Sequence, residues 1–428
     1  MKSFAELPLI EPLQHAVRDE GYTVPTPIQA QSIIPLLEGK DLLGCAQTGT
    51  GKTAAFTLPI LQRLTQQKKI TPRNTPRVLI LAPTRELAAQ IGQSIRTYGK
   101  YLRITSTVIF GGVGQNPQVH ALGRGVDIVV ATPGRLLDLM NQGYVRLSEI
   151  EVFVLDEVDR MLDMGFIPDI RKIITKLPIK RQSLFFSATL EPKVVALART
   201  LVHDPIHITI NPEKPTVDII KQYVYFVDKD KKDALLLKLV SNASVKRVLV
   251  FTQMKHVANK VSHMLSRSGV RTEAIHGNKS QGARTASLEA FRRGTVRVLV
   301  ATDIAARGLD IDGITHVINY ELPNEAETYI HRIGRTARAG AEGDAISFCS
   351  ASERDYLCGI ERLIHTQITV VRDHIYHSDA ALNATGAAAR PPPKGNQARR
   401  HNPHRSRHSF HGRGEPGRFS RERYRHRP

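Results

Sequence analysis

The amino-acid sequence predicts an α/β protein: two consecutive open parallel-sheet domains with a cleft between them, then a disordered basic tail. Three observations point there. The 428 residues exceed one ordinary core, since a domain holds about 100–200 residues. Short, nearly continuous apolar runs rich in β-branched residues alternate with amphipathic stretches, the pattern of parallel strands covered by helices on both faces. From Arg390 to Pro428, twelve Lys/Arg stand against two acids, a surplus that is half of the chain's net charge of +20.

In chain order, the first domain (1–208) begins its strands at Leu42-Leu43. It continues through Val78–Ala82, Thr107–Phe110, Ile128–Val130, Val152–Leu155 and Leu184–Phe186. The polar, Pro-punctuated stretch Asn211–Val217 marks a linker, placed at 209–218. The second domain (219–378) repeats the pattern with Tyr223–Val227, Val248–Phe251, Val298–Ala301, His316–Tyr320 and Ala345–Phe348. The tail (379–428) is rich in Arg, Pro, Gly, Ser and His and holds too little apolar surface to offset its ordering entropy. Phe410, Phe419 and Tyr424 sit among its arginines, a composition suited to loose stacking and phosphate contact on RNA.

So basic a chain implies a polyanionic partner, nucleic acid ahead of an anionic membrane surface. No apolar run is long enough for a membrane span, and Met1–Glu6 lacks the apolar core of a secretory signal. Cys45, Cys349 and Cys358 have neither metal-ligand nor C-x-x-C spacing and fit reduced thiols in a cytoplasm.

Chemistry first appears at Ala46-Gln47-Thr48-Gly49-Thr50-Gly51-Lys52-Thr53, between apolar Leu42-Leu43 and the apolar-periodic Ala54–Leu64. This is strand, Gly-rich turn, helix. Gly49 and Gly51 let backbone N–H groups turn onto an anion at the positive end of the helix. Lys52 can then reach the outer phosphates of a nucleotide, and Thr53 can bind Mg²⁺. The strict pattern begins with Gly where this chain has Ala46. The motif needs a distal acid, and Asp156-Glu157-Val158-Asp159 directly follows Val152–Leu155, at the carboxyl end of a strand where open α/β sheets place their ligand crevice. Asp156 is expected to hold Mg²⁺ and Glu157 to orient or deprotonate the attacking water.

These two motifs, with Ser187-Ala-Thr189 and His331-Arg-Ile-Gly-Arg-Thr-Ala-Arg338, occur in the order of the DEAD-box RNA helicases, which the chain resembles from Phe4 to about residue 355. Arg160–Phe166 and His276–Arg284 are most similar to the bacterial RhlE branch. The resemblance implies tandem RecA-like domains and RNA-stimulated ATP hydrolysis coupled to local, sequence-tolerant unwinding of RNA. It also implies a cytoplasmic monomer with no membrane partner, serving ribosomal precursors or working with RNA-decay proteins.

By the same resemblance, Gly21–Gln29 is the adenine-reading segment, and Gln29 offers the donor and acceptor that match adenine. Phe4 stacks on the base and Asp310 contacts the ribose. Ser187 and Thr189 couple the carboxylates to the second domain. Arg335 and Arg338 are arginine fingers on the γ-phosphate. Asn324 with Glu327 reads as a capping box opening a helix through His331, which places Arg332, Arg335 and Arg338 near one face. The RNA-contacting motifs match at Pro83, Thr84 and Arg85, with Glu86-Leu87 following. They match also at Gly111 and Gly112, at Thr132, Pro133, Gly134 and Arg135, at Gln281 and Arg284, and at Thr302 and Asp303. Small and hydroxylic residues at strand ends approach a sugar-phosphate backbone without reading bases.

Two departures stand out. Val158 occupies a position where the family name implies Ala, so two extra methyl groups must be packed. Ala337 replaces a common Gly and is strained if the site needs positive φ. Two other functions compete: a duplex-DNA translocase with the same ATPase core, against which Gln29 and the acidic quartet argue, and an RNA chaperone acting mainly through the tail.

Overall fold

The computed structural model describes residues 3–390 apart from 48, 71, 211–219, 243–244, 307–312 and 338–342. Thr48, Asp310, Arg338, linker residues 211–218 and tail residues 391–428 therefore lie outside the described residues. The first sheet comprises β1 (Leu42–Cys45), β2 (Val78–Leu81), β3 (Ser106–Ile109), β4 (Ile128–Ala131), β5 (Val152–Leu155), β6 (Gln182–Ser187) and β7 (Ile206–Thr209). The second comprises β8 (Lys221–Phe226), β9 (Val248–Thr252), β10 (Thr272–Ile275), β11 (Val298–Thr302), β12 (His316–Asn319), β13 (Asp344–Cys349) and β14 (Thr369–Val370). Their strand pairings are parallel.

The orders are β3-β4-β2-β5-β6-β1-β7 and β10-β11-β9-β12-β13-β8-β14. Counted from β8, the second order repeats the first, so the chain carries one parallel-sheet design twice. Side-chain alternation explains why the strands read as unbroken apolar runs. Val78 and Ile80 of β2 enter one core and Leu79 and Leu81 the other; Val152 and Val154 of β5 divide from Phe153 and Leu155 in the same way. In the second lobe Val248 and Val250 part from Leu249 and Phe251. Both faces are covered by helices, and each large side chain so buried is worth about 1.5–3 kcal/mol.

The apolar runs fall on β2–β6, β8, β9 and β11–β13. β7, β10 and β14 carry no such run; each lies at a sheet edge and keeps part of its surface exposed, as does β3, which is legible through its β-branched Thr107–Ile109. The expected boundaries shift at two places. Thr209 pairs with Cys45 on β1 and the Ile210 N–H donates to the Cys45 carbonyl at 2.8 Å, so the sheet takes the first two residues assigned to the linker. The tail does not begin at 379: the helix Asp379–Leu382 and the 3₁₀ turn Gly386–Ala389 pack on the second lobe and bury Ala381 and Ala389. Small apolar side chains are enough there because β8 and the helix Arg354–Ile364 supply the surface.

Candidate functional site

The Gly-rich turn joins β1 to the helix Lys52–Gln66, which starts at Gly51 in a left-handed conformation (φ 91°). A Cβ on Gly51 would run into the Gln29 amide, so the position demands glycine on both counts. Gln29, on the helix Pro27–Leu37, accepts from the Thr26 N–H at 2.8 Å and donates through Nε2 to the Gly51 carbonyl at 3.1 Å. The amide therefore fixes the entrance of its own helix to the phosphate turn. The buried Lys52 ammonium donates to the Ala46 carbonyl at 2.6 Å, and Thr50 closes the turn onto Gln47 at 2.8 Å.

β5 delivers the acids. Asp156 is 2% exposed, and its Oδ1 is buried with no hydrogen-bond partner among the described residues. Burial pushes its pKa up to about 7, with Lys52 opposing and Glu157 adding to the rise. A buried hard oxygen without a partner fits Mg²⁺, which takes one or two carboxylates together with phosphates. Glu157 has positive φ (55°) and pairs with Arg160 three residues on, in the helix Val158–Asp163. Burial raises the Glu157 pKa, but Arg160, Lys52 and Arg335 outweigh it, and the net shift is downward. Val158 is fully buried in the second core of this lobe, so its extra methyl groups are accommodated by packing. Asp159 accepts the Ala188 N–H at 3.1 Å, tying the acidic turn to Ser187-Ala188-Thr189. The hydroxyls of Ser187 and Thr189 are buried and have no partner among the described residues.

The second lobe closes this site. A cavity of about 360 Å³ is lined by Gln47, Gly49, Thr50 and Glu157 from one side and by His331, Arg335 and Ala337 from the other. Arg335 is buried, and its charge is felt by Glu157 across the lobes. The helix just before it runs Ala326–Ile333 and has no side-chain cap, which corrects the expected capping box. Asn324 instead accepts from Gln253 Nε2 at 3.0 Å. The helix ends at Ile333, so Arg335 lies in the turn that follows it. Arg332 is buried over the Phe251 ring and bonds Asp303 through Nε (2.6 Å) and Nη2 (2.8 Å). That bidentate pair occupies both oxygens of Asp303, an expected RNA contact, with a structural bond. Ala337 has φ 53°, the strained case anticipated for a residue in place of Gly.

A second junction joins the lobes. Glu86 is 6% exposed, and its Oε1 accepts from Gln281 Nε2 at 3.0 Å and pairs with Arg284 Nη2 at 2.9 Å. Both partners lie in the first turn of the helix Gln281–Arg292.

Comparison with known proteins agrees with this geometry. Residues 26–197 match the DEAD/DEAH box helicase family model and residues 231–340 the helicase conserved C-terminal domain. The chain is 42% identical over 362 residues to the DEAD-box ATP-dependent RNA helicase CshA of Bacillus cereus, covering 85% of this chain and 68% of that one. It is 44% identical over 371 residues to the ATP-dependent RNA helicase RhlB of Pseudomonas syringae, covering 86% and 94%. The chain belongs to the DEAD-box ATP-dependent RNA helicases. Its fold matches S. cerevisiae Dbp5 bound to RNA and ADP BeF3 with a TM-score of 0.76 at 32% identity, covering 87% of this chain and 96% of that one. Relatives named CshA, RhlB and DBP2 share 42–45% identity, so identity singles out no branch of the family.

In this helicase the residues expected to meet nucleotide and those expected to meet RNA divide along the carboxyl edge of each sheet. The nucleotide residues follow β1, β5 and β6; Thr84-Arg85, Gly111-Gly112 and Thr132–Arg135 follow β2, β3 and β4 on the other half. In the second lobe Arg284 follows β10 and Thr302 ends β11, whereas Arg335 comes after β12. Thr84 caps its helix by accepting the Leu87 N–H at 3.2 Å. The Arg85 guanidinium lies over Gly112 (φ 76°), where a Cβ would collide with it. Pro133 and Gly134 occupy the first turn of the helix Pro133–Asn141, and Arg135 leans on the Val113 carbonyl at 3.4 Å. Phe4 is not presented to a base: it is 3% exposed and packs on Tyr22 with ring centroids 5.6 Å apart. Arg160 and the clasp role of Glu86 escaped the sequence reading. The three-residue spacing of Glu157 and Arg160 is a usable signal for the first; no local pattern reveals the second.

Proposed function

We propose that this helicase hydrolyses ATP at a composite site in the interlobe cavity, with the following roles. The phosphates lie on the turn Gln47–Thr53, where they draw Lys52 from the Ala46 carbonyl, and Gln29 reads adenine. Asp156 and Thr53 would hold Mg²⁺, which would supply positive charge to offset that of the phosphates. Glu157 stays ionised because Arg160, Lys52 and Arg335 outweigh its burial. It therefore accepts a hydrogen bond from the attacking water and takes its proton. Arg335 stabilises charge on the transferring phosphoryl group. One observation carries this reading: Arg335 of the second lobe lines the same cavity as Glu157 of the first.

RNA lies along Arg85, Gly112 and Arg135 of the first lobe and Arg284 and Thr302 of the second. A strand touching both lobes favours the arrangement that also brings Arg335 to Glu157, so each ligand promotes binding and use of the other. Ser187 and Thr189, tied to Asp159 through the Ala188 N–H, transmit the state of the acidic turn. The proposal extends to a cytoplasmic monomer acting on ribosomal precursors or in RNA decay. Among the described residues no helix is long and apolar enough to cross a membrane. Glu157→Gln is expected to bind ATP and RNA with near-normal affinity yet lose RNA-stimulated phosphate release. Undiminished release in that variant would remove the proposed role.

A further inference from the structure

A basic pocket lies at the opposite edge of the first sheet from the nucleotide. Gly39, Arg77 and Glu151 precede β1, β2 and β5, and Gln182 opens β6, so the pocket they line is at the amino ends of the strands. The strands are four to six residues long, which separates the two edges by at least about 13 Å. The pocket measures about 610 Å³ and gathers Arg63, Lys68, Lys69, Arg77, Lys180 and Arg181 around one carboxylate, Glu151.

Which of these charges are already neutralised decides what the pocket can take. Arg77 grips Glu151 through two bonds of 2.9 and 3.0 Å, and Lys69 rests on Glu149 at 2.8 Å. The remaining four cations make no ion pair among the described residues, and two are aimed by neutral acceptors. Arg63 Nη1 donates to Gln182 Oε1 at 3.1 Å and Arg181 Nη1 to the Pro178 carbonyl at 2.6 Å. The Nε–H groups of Arg63 and Arg181 are buried and lack an acceptor among the described residues. Asp41, the acid felt by Arg181, spends its oxygens on the N–H groups of Ser183 and His203. Convergent cations with unmet donors call for an anion bearing several oxygens.

We propose that this pocket is a second RNA site, which takes phosphodiester groups of a strand extending beyond the cleft. Exposed Ile70 and Ile179 neighbour these lysines in sequence and would suit a membrane surface. The arginines, however, converge into a concavity instead of standing out from a flat rim, and RNA is already the polyanion of the opposite edge.

The test uses the full chain with Lys68→Glu and Lys180→Glu together; both side chains are exposed and outside the nucleotide cavity. Two RNAs are compared, one that only fills the cleft and one with long single-stranded flanks. Affinity for the flanked RNA should fall about tenfold or more, and its log–log salt dependence should become shallower by about 1.4, near 0.7 per lost phosphate contact. Short-RNA affinity and short-RNA-stimulated ATP turnover should stay unchanged, and arginine at both positions should preserve binding. Lys229→Glu with Lys231→Glu, exposed in the second lobe, controls for net charge. Equal losses on both RNAs, no loss on the flanked one, or an equal loss in the control pair overturns the proposal. So does a loss that appears only with phosphatidylglycerol vesicles. Short-RNA turnover reads the cleft alone, so failure here leaves the composite ATP site untouched.

Discussion

Removing the Glu86 carboxylate should loosen closure of the lobes without unfolding either one. Oε1 of Glu86 meets both Gln281 and Arg284 across the cleft, at 3.0 and 2.9 Å. A hydrogen bond to a charged group contributes about 1.5–3 kcal/mol, and breaking a buried pair costs more because the other charge stays buried. Burial here depresses the Arg284 pKa and Glu86 partly offsets it, so the guanidinium relies on this carboxylate. With the lobes apart, Arg284 returns to water, so the loss falls on closure and not on folding. At 1.4 kcal/mol per tenfold, Glu86→Ala weakens closure about tenfold to a hundredfold. The assay is ATP turnover against RNA concentration. The half-saturating RNA concentration should rise by that factor while the thermal midpoint holds. Unchanged half-saturation, or a lowered midpoint with unchanged turnover, would refute the reasoning.

Arg335→Ala should reduce RNA-stimulated turnover by about 10³ or more while ATP affinity, read by fluorescent-nucleotide titration, changes far less. Gly112→Ala forces a side chain into positive φ and onto Arg85; strain of about 1–3 kcal/mol should weaken RNA binding with ATP affinity unaltered, measured by separate titrations. Ala337→Gly relieves a left-handed Ala. That gain, about 1–2 kcal/mol, exceeds the added unfolded-state entropy, so thermal unfolding should show a net stabilisation of about 0.5–1 kcal/mol.

The central strands and the phosphate turn were legible because their physics is local. Val78–Leu81 and Val152–Leu155 are apolar on both faces, so they announce buried parallel strands whatever surrounds them. The turn Ala46–Thr53 needs glycines and a lysine at fixed offsets, and the structure keeps Gly49 and Gly51 at positive φ. The edge strand Thr272–Ile275 was not legible, since a half-exposed strand has no need of an unbroken apolar run. The helix cap at Asn324 was misread because a distant side chain, Gln253, claims the same oxygen.

The chain by itself thus determined the repeated α/β architecture, the phosphate cradle and the acids at a strand end, for each follows from short-range spacing and side-chain chemistry. Tertiary structure alone decided that Glu86 clasps Gln281 and Arg284, separated by 195 positions in the first case. It also decided that Arg332 pairs with Asp303, that Phe4 packs in the core, and that basic residues from two distant stretches, 63–77 and 180–181, converge at the amino ends of the first sheet's strands. Contacts of that range depend on how two lobes and many strands are stacked, and no local pattern of residues encodes the stacking.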